Sequence, residues 1–429
     1  MTEMAVESPI ESPDDPHDFV PIDGRLSLGE NIVFGFQHVI AMFGATVLGP
    51  LLMGFDPNVA ILFSGVGTLL FFVFVGGKIP SYLGSSFSFI AAVGAATGYS
   101  GSGPNPHVAI ASGGIVVAGV IYACVGLAVM KLGIGWLERL LPPVITGVIV
   151  AIIGLNLASV AVGDITHSAF DTVFGILVIF IVAICTVYLP RALARLPILI
   201  GGGLSYLLYF FSCNILHLSS PIDFSSVGRA AWVGLPVLTA PVFEPRAISL
   251  IAPVVLVLIA ENLGHVRAIA SITRTNLDPY LGRAFLADGV ASAIAGMGGG
   301  VGVTTYAENI GVMSLTRVYA SSIFIFSGIF VIILSLSPKF GAVIHTMPLP
   351  LLGGLAFVLF GMIIAAGGRI WRDGNVDFTQ PANAIPVGVG LVMGAGNLTI
   401  AAGPVVLGGI ATATLTAVIL YQLLARRPA

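Results

Sequence analysis

Gly298-Gly-Gly-Val-Gly-Val-Thr-Thr-Tyr-Ala-Glu-Asn-Ile-Gly-Val-Met313 is the stretch whose reading decides the fold. Glycines interrupt an apolar run, residues 301–306 are β-branched and aromatic, and helix-forming sequence resumes near Glu308 and Asn309. The pattern predicts a short extended segment leading into a half-length helix. Irregular backbone is tolerated at membrane depth only where it is buried in protein or lines a site. A helix starting there aims free N–H groups and the positive end of its dipole at whatever lies before it. A plain polar turn with Asn309 as its N-cap is the competing reading.

That the surroundings are a membrane follows from composition. Of 429 residues, 57% are hydrophobic and 9% charged, with a mean hydropathy of +1.04. A soluble domain carries roughly 25% charged residues, so a soluble protein of this length would lack the side chains to cover its surface. A cytosolic enzyme, a nucleic-acid binder and a disordered scaffold are thereby excluded. The apolar runs are continuous rather than alternating, which argues for helices over a membrane β-barrel. The 54 glycines suit close helix packing in lipid. The fold class expected is an all-α membrane protein. Cys124, Cys185 and Cys213 lie in apolar stretches without metal-ligand or disulfide spacing, and read as small buried hydrophobes.

A span needs about 20 apolar residues. Outward from the quoted stretch, candidate spans fall near 31–53, 58–77, 81–97, 107–130, 142–163, 170–188, 196–216, 247–266, 284–299, 303–315, 318–337, 347–366, 382–398 and 403–424. Of these fourteen, 81–97, 303–315 and 382–398 are short or Gly-broken. Residues 1–26 are polar and acidic, lack the pattern of a cleavable signal, and read as a disordered cytoplasmic tail. Alternating from a cytoplasmic N-terminus puts fourteen of the 17 Lys and Arg residues inside, Arg191, Arg195, Arg426 and Arg427 among them. Only Arg229, Arg246 and Lys339 fall outside. This bias supports the parity and orientation of the count, with both termini cytoplasmic.

The long external loop 217–246 divides the chain into two halves of seven spans. Pro143-Val-Ile-Thr-Gly147, with Gly154 beyond, echoes Pro350-Leu-Leu-Gly-Gly354, with Gly361 beyond. Gly84-Ser-Ser-Phe-Ser-Phe89 echoes Gly302-Val-Thr-Thr-Tyr-Ala307. Because seven is odd, the second half enters the membrane inverted, the design of secondary transporters. Chance similarity between apolar Pro/Gly segments is the competing explanation.

Ionisable groups at membrane depth are functional by default. Glu261 and His265, four apart, share one helix face after the apolar run 251–260. They read as a substrate or proton site, or as a pair that locks packing. Asp288 reads as a proton-relay member, or as a cap or polar partner. Glu308 heads the half-helix, with Asn309 beside it and Tyr306 and Ala307 before it. Gln37 and His38 form a polar pair in the first span, lining the site or bonding between helices. In the matching place of the first half, Ser86 and Phe87 are candidate support and ring contact. Two carboxylates near one cavity, with free backbone N–H groups opposite, suit a flat neutral lactam such as uracil. Its ring N–H groups donate to carboxylates and its carbonyls accept from amides. Two neighbouring carboxylates in low dielectric do not both stay ionised, and the proton that one holds couples to substrate binding.

Glu308-Asn-Ile-Gly-Val-Met-Ser-Leu-Thr316-Arg317 is similar to the signature of the nucleobase–ascorbate transporter family, the second nucleobase–cation symporter family. The resemblance extends to Phe36-Gln-His-Val-Ile-Ala-Met-Phe-Gly-Ala-Thr-Val47, Lys78-Ile-Pro-Ser-Tyr-Leu-Gly-Ser-Ser-Phe-Ser-Phe89 and Ile259-Ala-Glu-Asn-Leu-Gly-His265, and is strongest to bacterial uracil and pyrimidine permeases. It implies fourteen spans in two inverted seven-span repeats, with short β-strands in the third and tenth. A core domain would comprise 27–135 and 247–340, and a gate domain 136–216 and 341–425. It implies proton-coupled import of uracil or a related nucleobase across the bacterial inner membrane, no cofactor beyond the proton gradient, and a homodimer. Glu261 and Glu308 would bind the base, with His265 as the proton-coupling neighbour and Phe87 and Ala307 giving backbone contacts. Glu at position 308 goes with pyrimidines in this family. Ala307 in place of Gly, and Asp288 in place of Asn, depart from uracil permeases and leave a thymine- or xanthine-tolerant pocket open.

Two other classes compete. An anion transporter of the same architecture is disfavoured by Glu261 and Glu308. An intramembrane enzyme is disfavoured because no metalloprotease, phosphate-loop or nucleophile-elbow motif is present.

Overall fold

Helix starts and stops follow from ordinary capping chemistry. The first helix, α1 (Leu28–Met53), begins with a capping box in which Ser27 accepts from the Glu30 N–H and Glu30 accepts from the Ser27 N–H. Asp56 caps α2 (Pro57–Val75) by accepting from Asn58 and Val59, and a left-handed glycine, Gly76, stops it. A computed structural model describes residues 19–99, 101, 103–190, 196–402 and 405–425. Arg191, Arg195, Arg426, Arg427 and residues 1–18 of the expected tail lie outside these.

After β1 (Leu83–Ser85) and a single 3-10 turn, the chain continues as α3 (Ile90–Thr97), α4 (Val108–Leu132), α5 (Gly135–Leu140), α6 (Pro143–Ile165), α7 (Ala169–Tyr188), α8 (Pro197–Phe210) and α9 (Ser225–Arg229). The second half runs α10 (Pro245–Ile251), α11 (Val254–Thr273), α12 (Leu281–Met297), β2 (Val303–Thr305), α13 (Ala307–Thr316), α14 (Ser322–Ser335), α15 (Pro338–Ile344), α16 (Leu349–Asp373), α17 (Pro381–Ala395), β3 (Ile400–Ala402), β4 (Val405–Leu407) and α18 (Gly409–Leu424).

Eight helical segments among the described residues are long and apolar enough to cross a membrane, or nine if α14 and α15, bent by 86°, form one span. Fewer pass that measure than the fourteen segments expected: α12, at 17 residues, falls just short of full length, and two further reasons account for the rest. The segments 81–97 and 303–315 are cut by strands, leaving half-length helices. The helices α17 and α18 are themselves short, and the expected boundary between their segments is occupied by an antiparallel hairpin of β3 and β4.

Packing is close where glycines meet. A Cβ on Gly119 of α4 would stand 2.6 Å from the Gly289 carbonyl of α12, and one on Gly289 would stand 2.7 Å from the Gly119 carbonyl. Gly65 of α2 and Gly328 of α14 oppose each other in the same way, at 2.7 and 3.1 Å. Such main-chain approach is how helices associate in lipid, where no hydrophobic drive separates tail from side chain.

Strands β1 and β2 pair antiparallel, Leu83 opposite Thr305 and Ser85 opposite Val303. The ladder extends through Tyr306 N–H to Tyr82 O (3.1 Å) and Ser86 N–H to Gly302 O (2.9 Å). Hydroxyls from the flanking helices hold both strands. On α2, Thr68 accepts from the Leu83 N–H (3.0 Å) while Ser64 donates to the Leu83 carbonyl. On α12, Ser292 both accepts from the Val303 N–H and donates to its carbonyl, each at 3.0 Å. The irregular backbone is thus satisfied inside the protein, as its depth requires.

Two further details depart from the sequence reading. Residues 20–22, assigned to the tail, pair with the link after α13: Val20 N–H donates to Arg317 O, Tyr319 N–H to Val20 O and Ser321 N–H to Ile22 O. Cys185 and Cys213 are buried, but Cys124 is exposed on α4 rather than buried.

Candidate functional site

The strand pair gives the site its floor. Immediately after β1, Ser86 accepts from the Ser88 N–H (3.3 Å) and turns the chain through Phe87–Phe89 into α3. Immediately after β2, Tyr306 ends the extended run and α13 begins at Ala307, with Tyr306 at the N-cap position offering no side-chain cap. Because the strands run antiparallel, the two half-helices start at opposite ends of the short ladder.

Across this floor lies α11. Glu261 and His265 share one of its faces, as their spacing predicts. The Ser88 hydroxyl donates to Glu261 Oε2 at 3.4 Å. His265 Nδ1 lies 2.9 Å from Thr305 Oγ1. One residue of the pair thus reaches the turn after β1 and the other the end of β2. Glu308 stands in the first turn of α13, which packs against α11. Both carboxylates are half-buried, and Ala307 beside them is exposed.

Asp288 is fully buried in the middle of α12, where Asn262 Nδ2 donates to its Oδ2. It caps neither end of its helix. Through Asn262, the residue after Glu261 on α11, it is tied to the same region.

The remaining candidates are placed as follows. Phe87 is buried, and its ring meets Phe360 of α16 edge-on, centroids 6.2 Å apart. Tyr306 is buried with its hydroxyl donating to Ser85 O at 2.8 Å. Its ring fills the place where a side chain on Gly84 would stand, which is why glycine occupies that position. Asn309 is buried and its Nδ2 lies 2.9 Å from His38 Nδ1 and 3.3 Å from His38 O. His38 therefore meets α13 from α1 through Asn309, with its ring 4.8 Å from that of Phe324. Gln37 is half-buried one residue earlier and belongs to none of these bonds.

Sequence reasoning passed over Ser88, Thr305 and Asn262, the groups that hold Glu261, His265 and Asp288. Asn262 carried a usable signal: an amide directly after an acid in an apolar helix faces a different neighbour, and that neighbour needs a donor. An apolar cavity of about 150 Å³ lies elsewhere, between Phe43 and Val47 of α1, Ile198 and Gly202 of α8, and Leu351 and Leu355 of α16. None of the acids lines it, so recognition of a polar ligand is a matter for the strand region.

Residues 29–403 match a family model described as the Permease family, Xan_ur_permease. The chain is 48% identical over 405 residues to the protein named pyrimidine permease RutG of Escherichia coli strain K12, covering 94% of this chain and 92% of the relative. It is 37% identical over 411 residues to the uracil permease of the same strain, covering 93% and 92%. With the uracil permease of Bacillus subtilis strain 168 it shares 34% identity over 417 residues, 92% of each. Among solved structures it resembles the transmembrane domain of the cyanobacterium bicarbonate transporter BicA, with a TM-score of 0.60 at 15% identity, covering 92% of this chain and 97% of that one. It also resembles the murine anion transporter Slc26a9 in its inward-facing state, with a TM-score of 0.65 at 11% identity, covering 98% and 73%. At such identities these two likenesses concern the fold alone.

Proposed function

The chain belongs to this permease family, and from that premise we propose that it imports uracil or a closely related pyrimidine base together with a proton. The observation that carries the reading is the convergence of Glu261 and Glu308 on the ends of a two-strand floor where two half-helices begin. Carboxylates there accept from the ring N–H groups of a lactam. N–H groups at the start of α13 donate to its carbonyls. Phe87 and Ala307 bound the ring on the strand side, with Tyr306 as the wall behind. The names of the relatives favour a pyrimidine over a purine base.

Proton coupling is assigned to Glu261, with His265 and Asp288 beside it. Two acids in one low-dielectric site hold a proton between them more readily than two charges. Asn309, His38, Gln37 and Ser86 are assigned to support.

Transport on this reading is alternating access, with a core of 27–135 and 247–340 moving against a gate of 136–216 and 341–425. The architecture proposed is fourteen segments in two inverted repeats. Its support is the symmetry of packing: α4 on α12 mirrors α14 on α2, each pair joining the two halves, and α7 on α8 in the first half mirrors α17 on α18 in the second. The clamping of β1 by α2 and of β2 by α12 follows the same symmetry. Placement in the bacterial inner membrane with cytoplasmic termini, and pairing as a homodimer, belong to the same proposal. Uptake of labelled uracil into proteoliposomes, with an imposed pH gradient and unlabelled competitors, tests it. Saturable, gradient-driven accumulation competed by pyrimidines is expected, and accumulation indifferent to the gradient would overturn the coupling.

A further inference from the structure

Residues 231–243 read Ala-Trp-Val-Gly-Leu-Pro-Val-Leu-Thr-Ala-Pro-Val-Phe, without a charged side chain. They form neither helix nor strand, yet their backbone is held at four places. Lys339 N–H donates to Ala231 O (3.0 Å), Gly234 N–H to Leu336 O (2.9 Å), Thr239 N–H to Gly298 O (3.1 Å) and Val242 N–H to Ala109 O (2.8 Å). These partners stand at the junction of α14 and α15, just past α12, and at the start of α4. The segment is therefore a strap laid across one end of these helices. Pro236 and Pro241 remove two N–H groups that would otherwise need partners.

The inner side of the strap fits closely. A Cβ on Gly299, whose φ is +80°, would stand 2.7 Å from the Thr239 side chain. The outer side is bare. Trp232 is 75% exposed, Val233 81%, Leu235 83% and Val237 79%. A contiguous apolar surface of this kind marks an interaction site.

What covers it is indicated by its neighbours. The strap bonds to Gly298, which directly follows the exposed Met297 of α12, and to Leu336, three residues beyond the exposed Ile333 of α14. Exposed apolar residues on the helices of a membrane permease face lipid. The strap prolongs that surface past the helix ends. At its start Lys339 Nζ lies 4.9 Å from the Trp232 ring centre and donates to Val227 O at 3.0 Å. Tryptophan and lysine together are the residues that anchor at the membrane–water boundary.

We propose that residues 231–243 are an interfacial strap whose apolar side rests in the headgroup–acyl boundary of the bilayer, fixing the depth of the helix ends to which it is bonded. The full chain is reconstituted in vesicles, and Trp232 emission is taken as the difference between the wild type and Trp232→Phe. Blue-shifted emission is expected, quenched more strongly by lipids brominated near the headgroup than by lipids brominated near the chain terminus. Replacing Leu235 and Val237 together by Asp should diminish that quenching. Emission quenched by aqueous iodide and untouched by brominated lipid would overturn the proposal, as the strap would then face water. So would emission shielded from both quenchers, with cross-linking between chains at position 235, since the strap would then be covered by a second copy.

Discussion

The turn after β1 and the turn after β2 have nearly the same construction and unequal chemistry. Each follows a three-residue strand, each strand is held by hydroxyls from a neighbouring helix, and each opens a half-length helix. The first contributes a ring and a hydroxyl, Phe87 and Ser88, whereas the second contributes a charge, Glu308, at the start of its helix. Scaffold and chemistry are therefore separable. The paired frame positions, and only one of its two turns carries the acid that we propose meets the base.

Glu308→Gln tests that separation most severely. An amide in place of the carboxylate weakens a charge-assisted hydrogen bond worth about 1.5–3 kcal/mol, so uracil affinity by calorimetry should fall roughly 10- to 100-fold. Wild-type affinity would abolish the distinction between the two turns. Next in size is Glu261→Gln. Accumulation driven by a pH gradient, about tenfold per unit for one proton, should vanish, while exchange of labelled for unlabelled uracil persists. Retained gradient-driven accumulation would assign the proton to another group.

Stability sharpens the same contrast. Ser292→Ala strips the hydroxyl from the Val303 N–H and carbonyl, and Thr68→Ala strips it from the Leu83 N–H. Each should cost about 1–3 kcal/mol, seen as a lower unfolding temperature in detergent. Similar losses are expected on the two sides, and a strongly one-sided result would show that the strands are not equivalent supports. The smallest effect is assigned to Ala307→Gly. Removing one methyl beside the ring changes apolar contact by about 0.8 kcal/mol, a few-fold in affinity, read most directly as the ratio of uracil to thymine binding.

Much of the site was legible because its chemistry is local. The i, i+4 spacing of Glu261 and His265, and the β-branched run before Glu308, each announce geometry within a few residues. Asn262 reaching Asp288, and Ser88 reaching Glu261, join residues far apart in sequence, and no periodicity encodes such a meeting. The hairpin of β3 and β4 was hidden for another reason. A short apolar β-branched run has no signature separating a strand from a buried helix end, so 403–424 read as continuous helix. Residues 20–22 were read as tail because their order comes from pairing with the link after α13, a partner that composition does not reveal.

The reciprocal glycine contacts carry a mechanical consequence. Where Gly119 seats against Gly289 and Gly65 against Gly328, backbone touches backbone with no side chain between to act as a bearing. Rods keyed together at such notches resist both slippage and rotation about their own axes. Any force delivered to the paired strands is therefore transmitted to four helices at once, and this part of the molecule forms a single rigid block rather than a set of independently sliding bars.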